Sequence, residues 1–254
     1  MKEFVELAQR MADVGAALVR EGYEVLGEVE GKSDGSPVTA IDREVEMRLR
    51  EMVAERFPRH GFIGEEFPPE NPDAECVWIV DPIDGTRSFI AGLPTFAVLI
   101  ALRRAGRMVL GVIDQPVLRE RWVGLDGHGT TRNGQPCRVA ECASLDVAVL
   151  QTSGPLAHSR AVFPRMVPVH RAAGALIYEG EAVGFGLLAR GRVDLIVDGC
   201  LKLHDIAGPL VVMREAGAIV TDWRGRPLGR EHDGSLLAAG DPRVHAEALE
   251  LLNA

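Results

Sequence analysis

Three short segments combine acidic residues with turn-forming residues at the ends of predicted helices or strands. They are Gly64-Glu65-Glu66, Asp81-Pro82-Ile83-Asp84-Gly85-Thr86 and His204-Asp205-Ile206-Ala207-Gly208. Asp81 follows an apolar strand and Asp84 follows a turn that begins with proline, so both carboxylates are expected at one strand end. Carboxylates packed together repel one another, whereas Mg²⁺ binds such oxygen ligands and can add a backbone carbonyl, here that of Ile83. The segments therefore predict a magnesium site.

The residues after Asp84 add a candidate anion site. Gly85-Thr86 opens a short predicted helix through Arg87-Ser88-Phe89, and its first backbone N–H groups would point toward the carboxylates. A phosphate monoester needs both features, because carboxylates without bound cations would repel its dianion. Taken singly, a Glu-Glu pair is usually a solvated surface feature and an Asp-Gly-Thr segment is usually a turn. Their combination indicates hydrolysis of a phosphate ester.

The first predicted domain, residues 1–143, would carry most of the metal ligands. Apolar residues at helical spacing predict amphipathic helices over residues 1–21 and 41–57. Short apolar runs at 77–80, 95–102, 108–114 and 121–125 predict strands, and the connections between them are too short for crossover helices. We therefore expect two helices that flank a largely antiparallel sheet.

The second predicted domain, residues 144–254, alternates between strands and helices. Strands are predicted at 147–151, 193–197 and 218–221, and helices at 181–189, 205–215 and 242–252. No Gly/Ser-rich linker separates the two domains, so we expect them to pack as one rigid body and to complete the site together. The order of elements predicts an α/β protein of the mixed α+β type.

The composition predicts a globular protein and argues against several partners. The 254 residues are 46% apolar and 26% charged, which is enough for a proper core. The net charge is −9 and the Lys and Arg residues are scattered, so nucleic acid is not an expected partner. Charges recur through residues 1–22, so neither a signal peptide nor a membrane span is expected there. The four cysteines, Cys76, Cys137, Cys142 and Cys200, are interpreted as reduced packing residues of a cytoplasmic protein.

The motifs resemble the signatures of the inositol monophosphatase superfamily. The resemblance spans almost the whole chain and rests on the segments at 64–66, 81–86 and 205–208, with further matches at 38–42, 57–63 and 215–217. It implies a layered α-β-α-β-α sandwich of the inositol monophosphatase and fructose-1,6-bisphosphatase type. It also implies a phosphomonoesterase that binds two or three Mg²⁺ ions per site, acts on a small phosphate ester and forms a homodimer.

The resemblance also implies a role for each matching residue. The metal ligands would be Glu65, Asp81, Asp84, Asp205 and the backbone carbonyl of Ile83. The N–H groups of Gly85 and Thr86 would hold phosphate. One Mg²⁺, with Glu65 and Thr86, would position and deprotonate the attacking water, and a second would stabilise the leaving alkoxide, giving in-line displacement without a phosphoenzyme. Asp42 would support Thr86 and Lys32 would lie in a mobile metal-binding loop, although they could instead be a helix-start acid and an ordinary loop cation.

The flanking sequence is similar to the histidinol-phosphatase branch of the superfamily, especially at 87–94, 111–116 and 120–122. The resemblance implies histidinol phosphate as the substrate, with hydrolysis of inositol 1-phosphate at broad specificity as the alternative. Substrate contacts are implied for Asp84, Glu181, Asp198 and Asp205, and carboxylates suit the cationic amine of histidinol. Asp198 could instead be a turn acid at a strand end, and Glu181 a charge at a helix start.

Two residues depart from that branch. It often has an aromatic residue before the last metal-binding aspartate, where this chain has His204, and Val183 stands where a larger polar aromatic residue would be expected. His204 is interpreted either as a packing histidine or as the sign of a different pocket.

Two other classes of protein compete with this interpretation. A haloacid-dehalogenase-type phosphatase uses an aspartyl nucleophile in an Asp-x-Asp-Gly-Thr motif, but here two residues separate Asp81 from Asp84, so a covalent aspartyl phosphate is disfavoured. A catalytically silent regulatory binding protein could keep the fold without turnover. The complete set of acidic residues argues against that alternative.

Overall fold

The computed structural model of the protein describes residues 1–25, 29–31, 37–155, 161–178, 180–229 and 232–254. The helices within these ranges are α1 (Lys2–Glu24), α2 (Ala40–Arg56), α3 (Thr86–Ala91), α4 (Phe163–Ala172), α5 (Glu181–Ala189), α6 (Leu203–Glu215) and α7 (Pro242–Leu252). Across the described ranges, no helix combines the length and the apolar character that a membrane span requires.

A short antiparallel pair, β1 (Val29–Gly31) and β2 (Pro37–Thr39), precedes α2. The larger sheet then contains, in spatial order, β3 (Gly61–Ile63), β4 (Cys76–Asp84), β5 (Ala97–Arg104), β6 (Arg107–Gln115), β7 (Glu120–Leu125), β8 (Gly129–Arg132) and β9 (Gln135–Cys137). Only β3 and β4 pair in parallel within it, and the other neighbours are antiparallel. The predicted, largely antiparallel sheet is therefore confirmed.

The smaller sheet has the spatial order β11-β10-β12-β14-β13. Its strands are β10 (Val149–Thr152), β11 (Ala175–Tyr178), β12 (Leu195–Asp198), β13 (Ile219–Thr221) and β14 (Leu236–Ala239). β10 is parallel to β11 and β12, whereas β14 runs antiparallel to both of its neighbours. The sequence did not predict β11, β14 or α4.

The helices and sheets stack in alternating layers. α1 and α2 cover one face of the larger sheet, with Met11 and Val45 against Trp78. α5 and α6 lie between the sheets, where Phe185 and Val212 share a core with Trp122. α4 and α7 cover the far face of the smaller sheet. The predicted α-β-α-β-α sandwich is confirmed, and the middle core joins the two halves of the chain.

Helix α6 approaches the larger sheet at glycine positions. A Cβ atom added to Gly111 would lie 2.1 Å from the carbonyl oxygen of Gly208, and one added to Gly124 would lie 2.8 Å from the backbone nitrogen of Val212. The backbone of the helix therefore rests directly on the strands, because no side chain separates them. This contact fixes how close α6 lies to the larger sheet. It therefore also positions the first turn of the helix, which carries Asp205.

The four cysteines are free thiols. Cys76 and Cys142 are buried and Cys137 is half-buried, and burial raises the pKa of all three thiols. These three agree with the packing interpretation. Cys200 is exposed and has a φ of 64°, so the packing interpretation is wrong for this residue, which lies on the surface between β12 and α6.

Candidate active site

The two aspartates of the central segment reach the same site through an irregularity in β4. The strand does not end before Asp81 but continues to Asp84, and side chains three positions apart in a regular strand point to opposite faces. The pairing register with β5 shifts between Asp81 and Asp84. Pro82 lies within the shift, where its missing N–H removes no regular sheet hydrogen bond. A bulge of this kind re-aims side chains, and here both carboxylates enter one cluster.

Acidic residues from three separate parts of the chain meet at this point. Carboxylate oxygens of Asp81, Asp84 and Asp205 all lie within 4.8 Å of one another. Glu65, Asp81 and His204 form a second group in which one atom from each side chain meets the same limit. We call these five residues the acidic cluster. Its members lie before β4, within β4 and on the first turn of α6, so the fold of the whole chain builds it.

When its carboxylates are charged, the acidic cluster destabilises the folded protein. Burial raises the pKa of Asp81 and Asp84 well above the usual range, and the charges of Glu65 and Asp205 raise these values further. Burial also raises the pKa of Asp205, although His204 opposes the shift. A bound divalent cation would offset the repulsion between the charged groups. Clustered carboxylate oxygens are the ligands that Mg²⁺ prefers, so the side chains present fit that ion.

Asp42 lies beside this cluster and is held by the start of α2. The N–H and the hydroxyl of Thr39 donate to Oδ2 of Asp42 at 2.8 and 2.6 Å, and this capping arrangement leaves Oδ1 facing Thr86. The Thr86 hydroxyl lies 3.5 Å from that oxygen and 3.1 Å from the carbonyl oxygen of Ile83. Asp42 is fully buried. It is therefore both a helix-start acid and a hydrogen-bond partner of Thr86.

Gly85 lies where β4 turns into α3 and has a φ of 87°, a region that favours glycine. A Cβ atom added there would lie 3.2 Å from Cγ of Glu181, the first residue of α5. The Glu181 charge raises the pKa of Asp84, and the N–H of Ala182 donates to Asp84. The second half of the chain therefore places Glu181 beside the acidic cluster. The N–H groups of Gly85 and Thr86 remain the predicted phosphate donors.

The predicted roles of two further site residues, Asp198 and Lys32, are not tested by the described contacts. Asp198 is buried at the end of β12, where Oδ2 accepts hydrogen bonds from the hydroxyl and the N–H of Ser153 at 2.8 and 3.3 Å. Its Oδ1 accepts a hydrogen bond of 2.9 Å from the N–H of Gly199. Lys32 lies outside the described residues. Substrate contact by Asp198 and the metal role of Lys32 stay predictions.

The sequence analysis missed Glu46, which positions the segment around Glu65. The Glu46 carboxylate is fully buried and accepts hydrogen bonds of 2.7 Å from the N–H of Glu66 and from the guanidinium of Arg50. A Cβ atom added to Gly64 would lie 2.0 Å from this carboxylate. The available signal was an acid and an arginine four positions apart on the apolar face of α2.

We expect Glu46→Ala to lower the free energy of unfolding by about 3 kcal/mol, because the change leaves Arg50 without its buried partner. Turnover should fall by about 10-fold or more, the scale for residues that orient a metal ligand. Chemical denaturation and a phosphate-release assay on the folded protein measure the two effects. Glu51→Ala is the matched control, since Glu51 pairs with Arg48 on the exposed side of the same helix. Equal losses in both variants would contradict the positioning role.

His204 and Lys202 add nitrogen atoms to the site. His204 Nε2 lies 3.3 Å from Oδ1 of Asp205 and 3.9 Å from Oε1 of Glu65. The Lys202 ammonium lies 3.8 Å from the same Glu65 oxygen. Of the two interpretations open for His204, the structure therefore supports a changed pocket. Lys202 was not singled out in the sequence, where nothing distinguishes it from other surface cations.

A layered sandwich with a buried carboxylate cluster between its two halves defines a class of metal-dependent phosphatases. The whole chain, residues 1–254, matches the inositol monophosphatase family. The protein belongs to this family. It is therefore a phosphatase whose relatives are metal-dependent, usually with Mg²⁺.

Individual relatives carry different names. A histidinol-phosphatase of Chlorobaculum parvum is 37% identical over 87% of this chain and 86% of its own length. The Nus factor SuhB of Pasteurella multocida is 32% identical over 98% of this chain and 95% of its own length. The solved structure of an inositol monophosphatase from Zymomonas mobilis is 36% identical, covers 100% of this chain and 98% of its own, and has a TM-score of 0.91.

Proposed function

We propose that the protein hydrolyses histidinol phosphate to histidinol and phosphate in a Mg²⁺-dependent reaction. The observation that carries the phosphatase chemistry is the acidic cluster beside the hydrogen-bonded pair Thr86 and Asp42. The choice of histidinol phosphate is supported by the acid Glu181 next to that cluster and by the similarity to a named histidinol-phosphatase.

Four carboxylates and one carbonyl would hold the metal ions: Glu65, Asp81, Asp84, Asp205 and Ile83. When bound, Mg²⁺ lowers the pKa of a coordinated water and neutralises charge on the ester. The protein supplies the fixed geometry, because Asp81 and Asp84 are held by β4 and Asp205 by the first turn of α6.

Thr86 is placed to take a proton from the attacking water. Its hydroxyl can donate to Oδ1 of Asp42, which leaves a lone pair of Thr86 free to accept from the water. As the water attacks phosphorus, its proton would pass to Thr86 and the Thr86 proton to Asp42, while the ester P–O bond breaks and the departing alkoxide takes a proton from solvent. The backbone N–H groups of Gly85 and Thr86 would hold the non-bridging oxygens of the phosphate.

The substrate's amine would lie on the Glu181 side of the site. A cationic amine beside a carboxylate in a partly desolvated pocket gains a charge-assisted hydrogen bond, which the neutral hydroxyls of an inositol do not. Asp198 lies at the end of β12, and in this proposal its charge acts directly on the amine.

A phosphate-release panel tests the proposal. Histidinol phosphate should give the highest kcat/KM among histidinol phosphate, inositol 1-phosphate, fructose 1,6-bisphosphate and 3′-phosphoadenosine 5′-phosphate, and chelation of Mg²⁺ should stop the reaction. The similarity to a solved inositol monophosphatase makes inositol 1-phosphate the second candidate. Release of phosphate from none of these esters would instead favour a regulatory binding protein. The expected homodimer stays a prediction that sedimentation would test.

We expect Glu181→Gln and Asp198→Asn each to reduce kcat/KM for histidinol phosphate by roughly 10- to 100-fold, because a charged hydrogen bond is worth about 1.5–3 kcal/mol. The loss for inositol 1-phosphate should be smaller, since its hydroxyls can still hydrogen-bond to an amide. Ser153→Ala is the control for Asp198, because it removes the hydroxyl partner and leaves the charge. Equal losses on both substrates would contradict a role in recognising the amine.

A further inference from the structure

His204 carries a buried ring nitrogen, Nε2, that makes no hydrogen bond within the described part of the chain. It is the second residue of α6, and its side chain is only 11% exposed. Among the described residues, none makes a hydrogen bond with Nε2. A buried polar atom without a hydrogen bond destabilises the folded state, and such atoms in folded proteins usually bind an ion, a water or a ligand.

The surroundings of this nitrogen are oxygen atoms of the acidic cluster. Nε2 lies 3.3 Å from Oδ1 of Asp205 and 3.9 Å from Oε1 of Glu65, and one atom each of His204, Glu65 and Asp81 lie within 4.8 Å of one another. Two ligands that lie at right angles around an ion, each about 2.1 Å from it, are themselves roughly 3 Å apart. The spacing of nitrogen and oxygens is therefore that of atoms sharing one ion.

An ion pair between His204 and Asp205 explains the position of the His204 ring less well than a shared metal ion does. The distance of 3.3 Å is short enough for attraction, but the ring N–H direction does not meet the carboxylate oxygen, so no hydrogen bond forms. A histidine that served only as a counter-charge would gain most by donating that bond. Packing does not explain the position either, because the nitrogen edge of the ring faces the carboxylates.

We propose that His204 is a metal ligand, which gives one ion of the site a nitrogen donor beside Glu65 and Asp81. Imidazole nitrogen favours Mn²⁺, Co²⁺ and Zn²⁺ relative to Mg²⁺, which keeps oxygen ligands. The site therefore binds one transition-metal ion more tightly than a cluster of carboxylates alone would. The inference rests on the metal-binding part of the proposed function and is independent of the substrate.

Spectroscopy of the Mn²⁺-loaded protein tests the proposal without an activity assay. Electron spin-echo envelope modulation should show ¹⁴N coupling from a directly coordinated imidazole in the wild type. Labelling with ¹⁵N-histidine should change that signal. His204→Asn and His204→Phe should both lose it, the first keeping an oxygen donor and the second keeping a ring. His128→Asn, at an exposed turn, is the matched control and should retain it.

Titration calorimetry gives the second readout. In both His204 variants the dissociation constant for Mn²⁺ should rise by about 10-fold or more, and that for Mg²⁺ by less. Mn²⁺ bound without ¹⁴N coupling in the wild type, or equal changes for the two ions, would overturn the role as a ligand. If a variant does not unfold cooperatively, and so is not properly folded, the presence or absence of ¹⁴N coupling in the wild-type spectrum decides whether a histidine binds the ion. A wild type that binds no Mn²⁺ would overturn this inference together with metal-dependent hydrolysis, whereas a failed substrate panel would leave the ligand role intact.

Discussion

Asp84→Asn is expected to lower kcat by at least about 100-fold, since it removes a ligand charge at the centre of the acidic cluster. The same change should raise the melting temperature of the metal-free protein by about 2 °C or more. Burial and Asp205 raise the pKa of Asp84 in the folded state, so this group opposes folding at every pH above the ordinary pKa of an aspartate. An amide of the same shape carries no such cost. Phosphate release and thermal unfolding in EDTA measure the two effects.

A fall in kcat together with a rise in melting temperature distinguishes a metal ligand from a structural residue, whose loss would lower both. Added Mg²⁺ should stabilise the wild type and change Asp84→Asn little, because ligand binding stabilises only the state that binds. Glu55→Gln removes the charge of an exposed acid outside the site and should leave both rate and stability unchanged. Full turnover of the wild type in EDTA, or a variant that loses stability as well as activity, would be incompatible with this assignment.

Thr86→Ala is expected to lower kcat by roughly 100-fold or more, the scale for losing a positioned proton-transfer group, with little change in KM. The variant keeps the backbone N–H groups that would hold phosphate and loses the hydroxyl that reaches Asp42. Steady-state kinetics on histidinol phosphate or inositol 1-phosphate would measure the split between kcat and KM.

Thr86→Ser is the matched variant, because it restores the hydroxyl without the methyl group. It should recover most of the lost rate. If the Thr86→Ala effect appears only in KM, the hydroxyl binds substrate and has no part in moving the proton. Asp42→Asn should then leave the rate unchanged, whereas the relay proposed here requires it to fall as well.

The four carboxylates of the acidic cluster were predictable because each lies in a short segment whose local pattern is informative. An acid that follows an apolar run, next to glycine or proline, predicts a side chain at an element end regardless of the rest of the fold. Short connections likewise predicted the antiparallel order of β4 to β7. The helices α5 and α7 begin and end where their apolar spacing predicts.

Features that depend on distant contacts were not predictable. The bulge between Asp81 and Asp84 follows from pairing with β5, which the sequence of β4 does not contain. The buried acid Glu46 looks like any helix-surface acid until Glu66 is packed against it. β14 is buried throughout and lacks the alternation of a surface strand, and α4 contains Pro168.

The close contact of α6 with the larger sheet has a practical consequence for engineering new substrate preferences. Gly111, Gly124 and Gly208 let the helix backbone touch the strands, so any side chain there would lift the helix and the aspartate on its first turn. A mutant library should keep these three positions as glycine and place its diversity at Ser153 and Glu181, which belong to other elements. Selection from such a library would then explore new alcohols without losing the hydrolytic chemistry.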